Sequence, residues 1–272
     1  MAPLRSIDRL RTLAQYLEVV GWRATLPLAG LRLRRTLGLP ARRTVQLRPA
    51  QARYLLTMRT GNSSDGAVFW EIFLKGTYER LADLPAPKLI LDLGANVGYS
   101  SVYFLNRFPN ARVVAVEPDP ESAAICRRNL APYGTRARVV LGAAWPERAL
   151  LVLSRGAYGD GREWATQVRE RTAGDDGDGV EGWDVASLID MAGADRADLL
   201  KVDIERSELA LFGRNAHTWL ARVDNICIEL HGSECREVFF RALAGYDYEL
   251  DSSPQLTICR NLRLKARSSR VN

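Results

Sequence analysis

Apolar residues Leu4, Ile7, Leu10, Leu13, Leu17 and Val20 recur at three- and four-residue steps, which predicts an amphipathic helix over residues 4–20 that Gly21 stops. Residues 43–58 hold two short apolar runs broken at Pro49 and read as two short strands. The stretch 61–66 is glycine-bounded and polar, a turn, and residues 66–83 form an aromatic-rich helical stretch that ends before Pro85. From Lys88 onward the pattern changes. Buried strands are expected at 88–93, 112–116, 138–141, 199–202 and 225–230, alternating with helices at 99–108, 120–130, 207–212 and 234–243. Such alternation implies a parallel sheet covered by helices on both faces. The last two strand runs, 246–250 and 256–260, are joined through Ser252-Ser253-Pro254, and so short a link favours an antiparallel hairpin at one edge. The expected fold is therefore α/β, a doubly wound, Rossmann-like, seven-stranded and mostly parallel sheet. A helical and short-strand extension would occupy residues 1–64, the main domain 65–265 and a frayed tail 266–272.

The composition fits one domain plus an extension: 272 residues, 47% hydrophobic and 26% charged. No run of eighteen apolar residues occurs, and Met1-Ala2-Pro3-Leu4-Arg5 has no continuous apolar stretch of the secretory kind, so a cytoplasmic location is expected. Cys126, Cys227, Cys235 and Cys259 form no CxxC pair, which argues against a zinc site or a disulfide framework, and Cys227 and Cys259 fall in core-like strand runs. Charge is unevenly spread. Twelve arginines against Asp8 and Glu18 give residues 1–60 a net charge of +10, which leaves −4 for the remainder of a chain whose total is +6. That basic segment reads either as a solvated helical face or as a contact for an anionic acceptor or a membrane surface, with the protein then peripheral to the membrane. A homo-oligomer is compatible with the sequence.

The most informative segment runs Leu89-Ile90-Leu91-Asp92-Leu93-Gly94-Ala95-Asn96-Val97-Gly98-Tyr99-Ser100, a buried strand that enters a glycine-bearing turn and then a helix. Glycine at such a turn lets the backbone approach a ligand closely. The spacing is Gly94-xxx-Gly98 rather than the GxGxxG of dinucleotide binders, and Asp92 near the strand end would repel a pyrophosphate. The same acid suits the cationic amino-acid end of S-adenosylmethionine. The second strand ends in Val116-Glu117-Pro118-Asp119, which puts Glu117 where a carboxylate can accept both hydroxyls of a ribose.

The runs LDLGANVGYSS, VAVEPD and DLLKVDIERSELALF together resemble the FkbM family of S-adenosylmethionine-dependent methyltransferases, over about residues 65–263. The resemblance implies a class I methyltransferase fold, S-adenosyl-L-methionine as cofactor, and methyl transfer to hydroxyls of sugars, glycolipids or polyketide-like products. It also implies that Phe69, Trp70, Phe73 and Tyr78 help cover the cofactor and that Gly142, Ala143, Ala144 and Trp145 lie near the adenine. Ala95, Asn96, Gly98, Tyr99, Ser100, Pro118 and Asp119 belong to its cofactor loops. One departure stands out: Arg206 occupies a place where the family usually has glycine, which puts the acceptor, rather than the cofactor, in question.

Methyl transfer to oxygen needs alignment, exclusion of water and a group that takes the hydroxyl proton. Asp203 and Glu205 follow the fourth strand, Glu229 and His231 the fifth, each pair at an i, i+2 spacing that points both members one way. Two mechanisms stay open: His231 as base with a carboxylate orienting it, which is favoured, or a divalent metal on Asp203, Glu205 and Glu229. His217 reads as a surface helix residue. Residues 155–183, with Trp164 and the acidic run 174–179, read as an irregular loop without calcium-loop spacing, placed to gate an acceptor. A nucleic-acid or other N-methyltransferase is disfavoured, because Asp203-Ile204-Glu205-Arg206 replaces the Asn/Asp-Pro-Pro-Tyr pattern and its acids repel phosphate. A non-catalytic cofactor-binding homologue is the other alternative.

Overall fold

Gly21 takes a left-handed conformation, φ +76°, between two helical segments of the computed structural model, which describes residues 17–39, 43–61, 63–154, 167–172, 174–175, 179–253 and 255–266. Most of the helix predicted at 4–20, Trp164, the centre of the acidic run and the tail beyond 266 lie outside the described residues. Residues 17–20 are helical (α1), and after Gly21 the chain continues as α2 (Trp22–Thr36). The sequence pattern does not announce α2, because Pro27 and Gly30 interrupt it. Proline cannot donate to the carbonyl four residues back. Here the Arg23 carbonyl accepts instead from the Arg48 N–H at 3.3 Å.

Strands β1 (Thr44–Leu47) and β2 (Leu56–Arg59) pair antiparallel. Val20, Ala24, Val45, Leu47, Leu56 and Met58 bury their side chains in the same core as Phe69, Phe73 and Tyr99, so the described part of the N-terminal segment packs onto the body. Helix α3 (Asp65–Phe69) runs into a π-helical turn, Trp70–Leu74, in which Lys75 N–H donates to the Trp70 carbonyl five residues back at 3.0 Å.

The alternating core follows as β3 (Leu89–Leu93), α4 (Tyr99–Arg107), β4 (Arg112–Glu117), α5 (Pro120–Leu130) and β5 (Ala137–Leu141). Asp119 starts α5 by accepting the Ser122 N–H at 2.9 Å, with Pro120 at the first helical position where its missing donor is no loss. The middle of the chain is more ordered than its sequence suggests. β6 (Ala143–Ala144), β7 (Ala149–Ser154), β8 (Gln167–Glu170) and β9 (Val180–Trp183) form a second, four-stranded sheet in the order β6-β9-β7-β8. Strands this short carry too few alternations to be read from periodicity, which is why part of 155–183 reads as loop. Then come α6 (Val185–Met191), β10 (Leu199–Val202), α7 (Glu208–Gly213), β11 (Ile226–Glu229), α8 (Ser233–Ala242), β12 (Tyr246–Ser252) and β13 (Leu256–Leu264).

The main sheet has seven strands in the order β12-β13-β11-β10-β3-β4-β5. β5, β4, β3, β10 and β11 are mutually parallel, and β13 lies antiparallel to both β11 and β12, as the short hairpin link requires. The strand order reverses between β3 and β10. An open α/β sheet leaves a crevice at the carboxyl ends of its strands at such a point. Among the described residues no helix is long and apolar enough to cross a membrane.

Candidate active site

A cleft of about 310 Å³ opens at that switch point. It is lined by Gly94, Ala95 and Asn96 after β3 together with Glu117 at the end of β4 and Pro118 beyond it. One end is lined by Ala143, Ala144 and Val168 of the small sheet, the other by Asp203, Ile204 and Glu205 after β10 and by Glu229 at the end of β11. Val68 of α3, Glu71 and Ile72 of the π-helical turn, and Thr77 and Tyr78 just after it also line the cleft, with Gln255 donating to Glu71 Oε1 at 3.3 Å.

The loop after β3 can be built only with glycine at its start. Gly94 has φ +74°, and a Cβ there would lie 1.7 Å from the Asp203 carbonyl oxygen. The two loops at the switch point are thus in backbone contact. Gly98, φ +84°, is pressed instead against Cys126, whose sulfur would stand 2.9 Å from a Cβ, so its role is to seat α4 on α5 outside the cleft. Asn96 also adopts a positive φ, 49°, and its Oδ1 is buried with no hydrogen-bond partner. Glu117 is clamped by two backbone donors, Asn96 N–H to Oε2 at 2.7 Å and Asp119 N–H to Oε1 at 2.9 Å. Each oxygen keeps a further lone pair for a ligand hydroxyl. Burial raises the Glu117 carboxyl to about 7 against the opposing pull of those two donors.

Asp92 is fully buried and does not line the cleft. It accepts the hydroxyls of Ser100 at 2.6 Å and Ser101 at 2.5 Å at the start of α4, and Lys201 Nζ stands 3.2 Å from its other oxygen. The sheet register sets this pair, since Asp92 and Lys201 are direct neighbours on β3 and β10. Lys201, which sequence reasoning left out of the site, does line the cleft and donates to the Gly94 carbonyl at 2.8 Å and the Leu93 carbonyl at 3.3 Å. Burial opposes its charge, yet Asp92, Tyr78 and Asp203 hold the ammonium well above the ordinary lysine range. A lysine inside an otherwise apolar central strand is the signal that reveals it, because a buried ammonium demands a partner in register.

Opposite charges alternate from there to the fifth strand. Lys201 Nζ lies 3.7 Å from Asp203 Oδ2, and His231 Nε2 lies 3.8 Å from Asp203 Oδ1 and 3.7 Å from Glu205 Oε2. His231 Nδ1 is 2.9 Å from Glu208 Oε1, a fully buried carboxylate in the first turn of α7 that sequence reasoning also passed over. Burial works against charge on the imidazole, but Glu208, then Asp203 and Glu205, lift His231 to about 9. Burial raises Glu205 to about 7, with His231 opposing and Asp203 adding to the rise, and raises Glu229 to about 7 with help from Asp203. Glu205 and Arg206 are both in left-handed backbone, φ 49° and 74°. Neither has the side chain that tolerates this cheaply, and such strain concentrates at functional sites. Arg206 does not line the cleft and pairs instead with Glu234 at 2.7 Å.

Of the residues expected from the sequence, Gly94, Ala95, Asn96, Ser100, Glu117, Pro118, Ala143, Ala144, Asp203 and Tyr78 line the cleft, as do Glu205 and Glu229. Asp92, Gly98, Tyr99, Asp119, Gly142 and His231 do not, although His231 reaches two residues that do. Tyr99 points into the core and donates to the Thr57 carbonyl at 3.1 Å. Gly142 abuts Trp183, whose ring would stand 2.7 Å from a Cβ. Trp145 donates to Glu170 at 3.2 Å rather than lining the cleft, and Phe69 and Phe73 pack edge-on against Tyr99 in the core. His217 is exposed.

The seven-stranded sheet, its order and the glycine loop at the switch point define a class I methyltransferase fold. The chain belongs to the FkbM methyltransferase family: residues 92–250 match the model of the methyltransferase FkbM domain. It is similar to the AMB antimetabolite synthetase AmbE of Pseudomonas aeruginosa, 28% identical over 198 residues, 60% of this chain and 9% of that protein. It is also similar to the 2-O-methyltransferase NoeI of Sinorhizobium fredii, 44% identical over 52 residues, 19% of this chain and 21% of that protein. The O-methyltransferase imqG of Aspergillus flavus is 37% identical over 59 residues, 21% of this chain and 24% of that protein. The chain therefore spans less than a quarter of the length of each of these relatives.

Proposed function

We propose that this chain is an S-adenosylmethionine-dependent O-methyltransferase that acts on a hydroxyl of a sugar, a glycolipid or a polyketide-like small molecule. The observation that carries the reading is one cleft with two unlike ends, a glycine loop beside a clamped glutamate and a cluster of raised carboxylates. The names of NoeI and imqG, both O-methyltransferases, point the same way.

The residues present suit the cofactor. Glu117 keeps lone pairs for two ribose hydroxyls, Asn96 Oδ1 is a buried acceptor without a partner, and Gly94 brings backbone to the cleft. Ala143, Ala144 and Val168 offer an apolar end for the adenine. The excess of acids over Lys201 and His231 favours a cation and disfavours a phosphate-rich nucleic acid. Bound S-adenosylmethionine supplies an electrophilic methyl group on a positively charged sulfur. The chain's own work is to hold the acceptor in line, exclude water and remove one proton from its oxygen.

With Glu208 at Nδ1 and Asp203 and Glu205 near Nε2, His231 is lifted to about 9, which favours the imidazolium at neutral pH and speaks for a carboxylate rather than His231 as the base. Glu229 and Glu205 fit that role: both line the cleft, and at about 7 each is a carboxylate basic enough to take a proton yet ionised in a large fraction. Either carboxylate would take the O–H proton as the methyl group leaves the sulfonium for the acceptor oxygen, so that the O–C bond forms as the S–C bond breaks and the cofactor departs as a neutral thioether. His231 keeps Glu205 and Asp203 oriented and offsets their mutual repulsion.

A second reading rests on Asp203, Glu205 and His231, whose ligand atoms lie within 4.8 Å of one another and could hold a divalent ion. His231 thereby takes the place that the sequence gave to Glu229. EDTA separates the two readings, since loss of turnover restored by magnesium supports the ion and unchanged turnover supports the carboxylate base.

Methyl-labelled S-adenosylmethionine offered with a panel of hydroxyl-bearing glycans, glycolipids and polyketide alcohols tests the function. Label on an acceptor, lowered about 100-fold in Glu229→Gln or Glu205→Gln with cofactor binding retained, supports it. Transfer unaffected by both substitutions would sink the base assignment, and binding of the cofactor without transfer to any acceptor would favour a non-catalytic homologue.

A further inference from the structure

Helix α2 presents two opposed apolar faces, and only one of them is used. Ala24, Leu28 and Leu31 face the core with Val20 and the β1–β2 pair. On the other side, Trp22, Leu26 and Leu33 are each 60% exposed and Leu37, just past the helix end, is 61% exposed. Their spacing of four, seven and four residues places them within an arc of about 60° at 3.6 residues per turn. Arg23 and Arg32, both exposed, flank that stripe on either side, and Arg23 lies over the Trp22 ring at 5.1 Å. Residues 17–39 carry four arginines against Glu18 alone.

We propose that α2 is an interfacial helix that lies on an anionic lipid surface, with Trp22, Leu26, Leu33 and Leu37 in the acyl boundary and Arg23 and Arg32 on the headgroups. An apolar stripe bordered by arginine with an indole at one end matches the layering of hydrocarbon, interface and acidic headgroup. Fifteen helical residues measure about 22 Å, short of the roughly 30 Å hydrocarbon core, so the helix lies on the surface rather than across it. Self-association through the same stripe would bring arginine flanks together with Glu18 as the only acid in the segment, a repulsion that anionic lipid removes. The remainder of the chain beyond residue 60 carries −4, which turns the body away from the membrane and leaves the basic segment toward it.

Flotation of the full chain with vesicles of phosphatidylcholine containing phosphatidylglycerol, beside vesicles of phosphatidylcholine alone, tests this without reference to catalysis. The expected result is partition onto the anionic vesicles only, lowered about tenfold or more in Leu26→Ser/Leu33→Ser and again in Arg23→Glu/Arg32→Glu. None of these four side chains is on the packed face, so the melting temperature should hold, and a variant that melts early is replaced by Trp22→Ser/Leu37→Ser. Absence of partition by the wild type would overturn the proposal. So would partition that the leucine substitutions leave unchanged, or a dimer seen by light scattering that those substitutions abolish.

Discussion

Replacing Lys201 by methionine removes the one ammonium held between β3 and β10 while keeping the side chain's length and apolar stem. Four contacts go with it: Asp92 at 3.2 Å, Asp203 at 3.7 Å, the Gly94 carbonyl at 2.8 Å and the Leu93 carbonyl at 3.3 Å. Asp92 is then a fully buried carboxylate with only the Ser100 and Ser101 hydroxyls to hold its charge. Breaking one side of a buried ion pair costs about 3–5 kcal/mol, a large share of the stability of a domain. Asp92→Asn alone leaves the buried ammonium without its closest carboxylate, with Asp203 at 3.7 Å as partial compensation, and so costs less. The double variant Asp92→Asn/Lys201→Met carries no buried charge at that position and is expected to recover at least half of the loss, a coupling of about 2 kcal/mol or more. Urea unfolding of the four proteins, followed by tryptophan fluorescence, measures the cycle. If Lys201→Met lies within 1 kcal/mol of wild type, or if the double loss equals the sum of the single losses, the buried pair does not hold the switch point together.

Gly94→Ala is expected to lose cofactor affinity altogether and about 2–4 kcal/mol of stability, because its Cβ would overlap the Asp203 carbonyl at 1.7 Å in a left-handed conformation; calorimetric titration with S-adenosylmethionine reads the first and urea the second. Tyr99→Phe should cost about 1 kcal/mol through its lost bond to Thr57 and leave cofactor affinity unchanged, and weakened binding would show that Tyr99 reaches the ligand. With Glu205 and Glu229 at about 7, kcat/KM should rise with pH through neutrality, while a flat profile from pH 6 to about 8 would exclude both as bases. His231, lifted from 6.5 to about 9 in the folded chain, contributes stability that is fully present below pH 6.5 and lost as pH rises through 9. His231→Gln should flatten the melting temperature over that window, and an unaltered slope would mean that the imidazole is not held charged.

The apolar strands around the switch point were legible because a buried parallel strand is a continuous apolar run: Leu89-Ile90-Leu91, Val113-Val114 and Ile226-Cys227-Ile228 leave little choice. Gly94 and Glu117, at the ends of two consecutive buried runs, marked the cleft for the same reason, since only a ligand or a turn explains such residues there, whereas the acid Asp92 turns out not to line it. What sequence could not supply was register. Asp92 reads as a ligand for a cationic cofactor until β3 and β10 are aligned and Lys201 is found opposite it. The favoured base, His231, likewise depended on Glu208, which belongs to a different element and sits behind it. Helix α2 and the small sheet escaped for local reasons, an internal proline in one and strands of two to six residues in the other.

The central claim, methyl transfer to oxygen at the acidic end of the cleft, is tested most directly by carbon NMR of the product formed from S-adenosylmethionine with a ¹³C-labelled methyl group and a hydroxyl acceptor found in the panel. The account predicts a single methoxy carbon whose appearance is lost in Glu117→Ala, which cannot hold the ribose, and slowed in Glu229→Gln, which cannot take the proton. A labelled carbon on nitrogen, sulfur or carbon, or a methoxy signal that persists undiminished in Glu117→Ala, would contradict it.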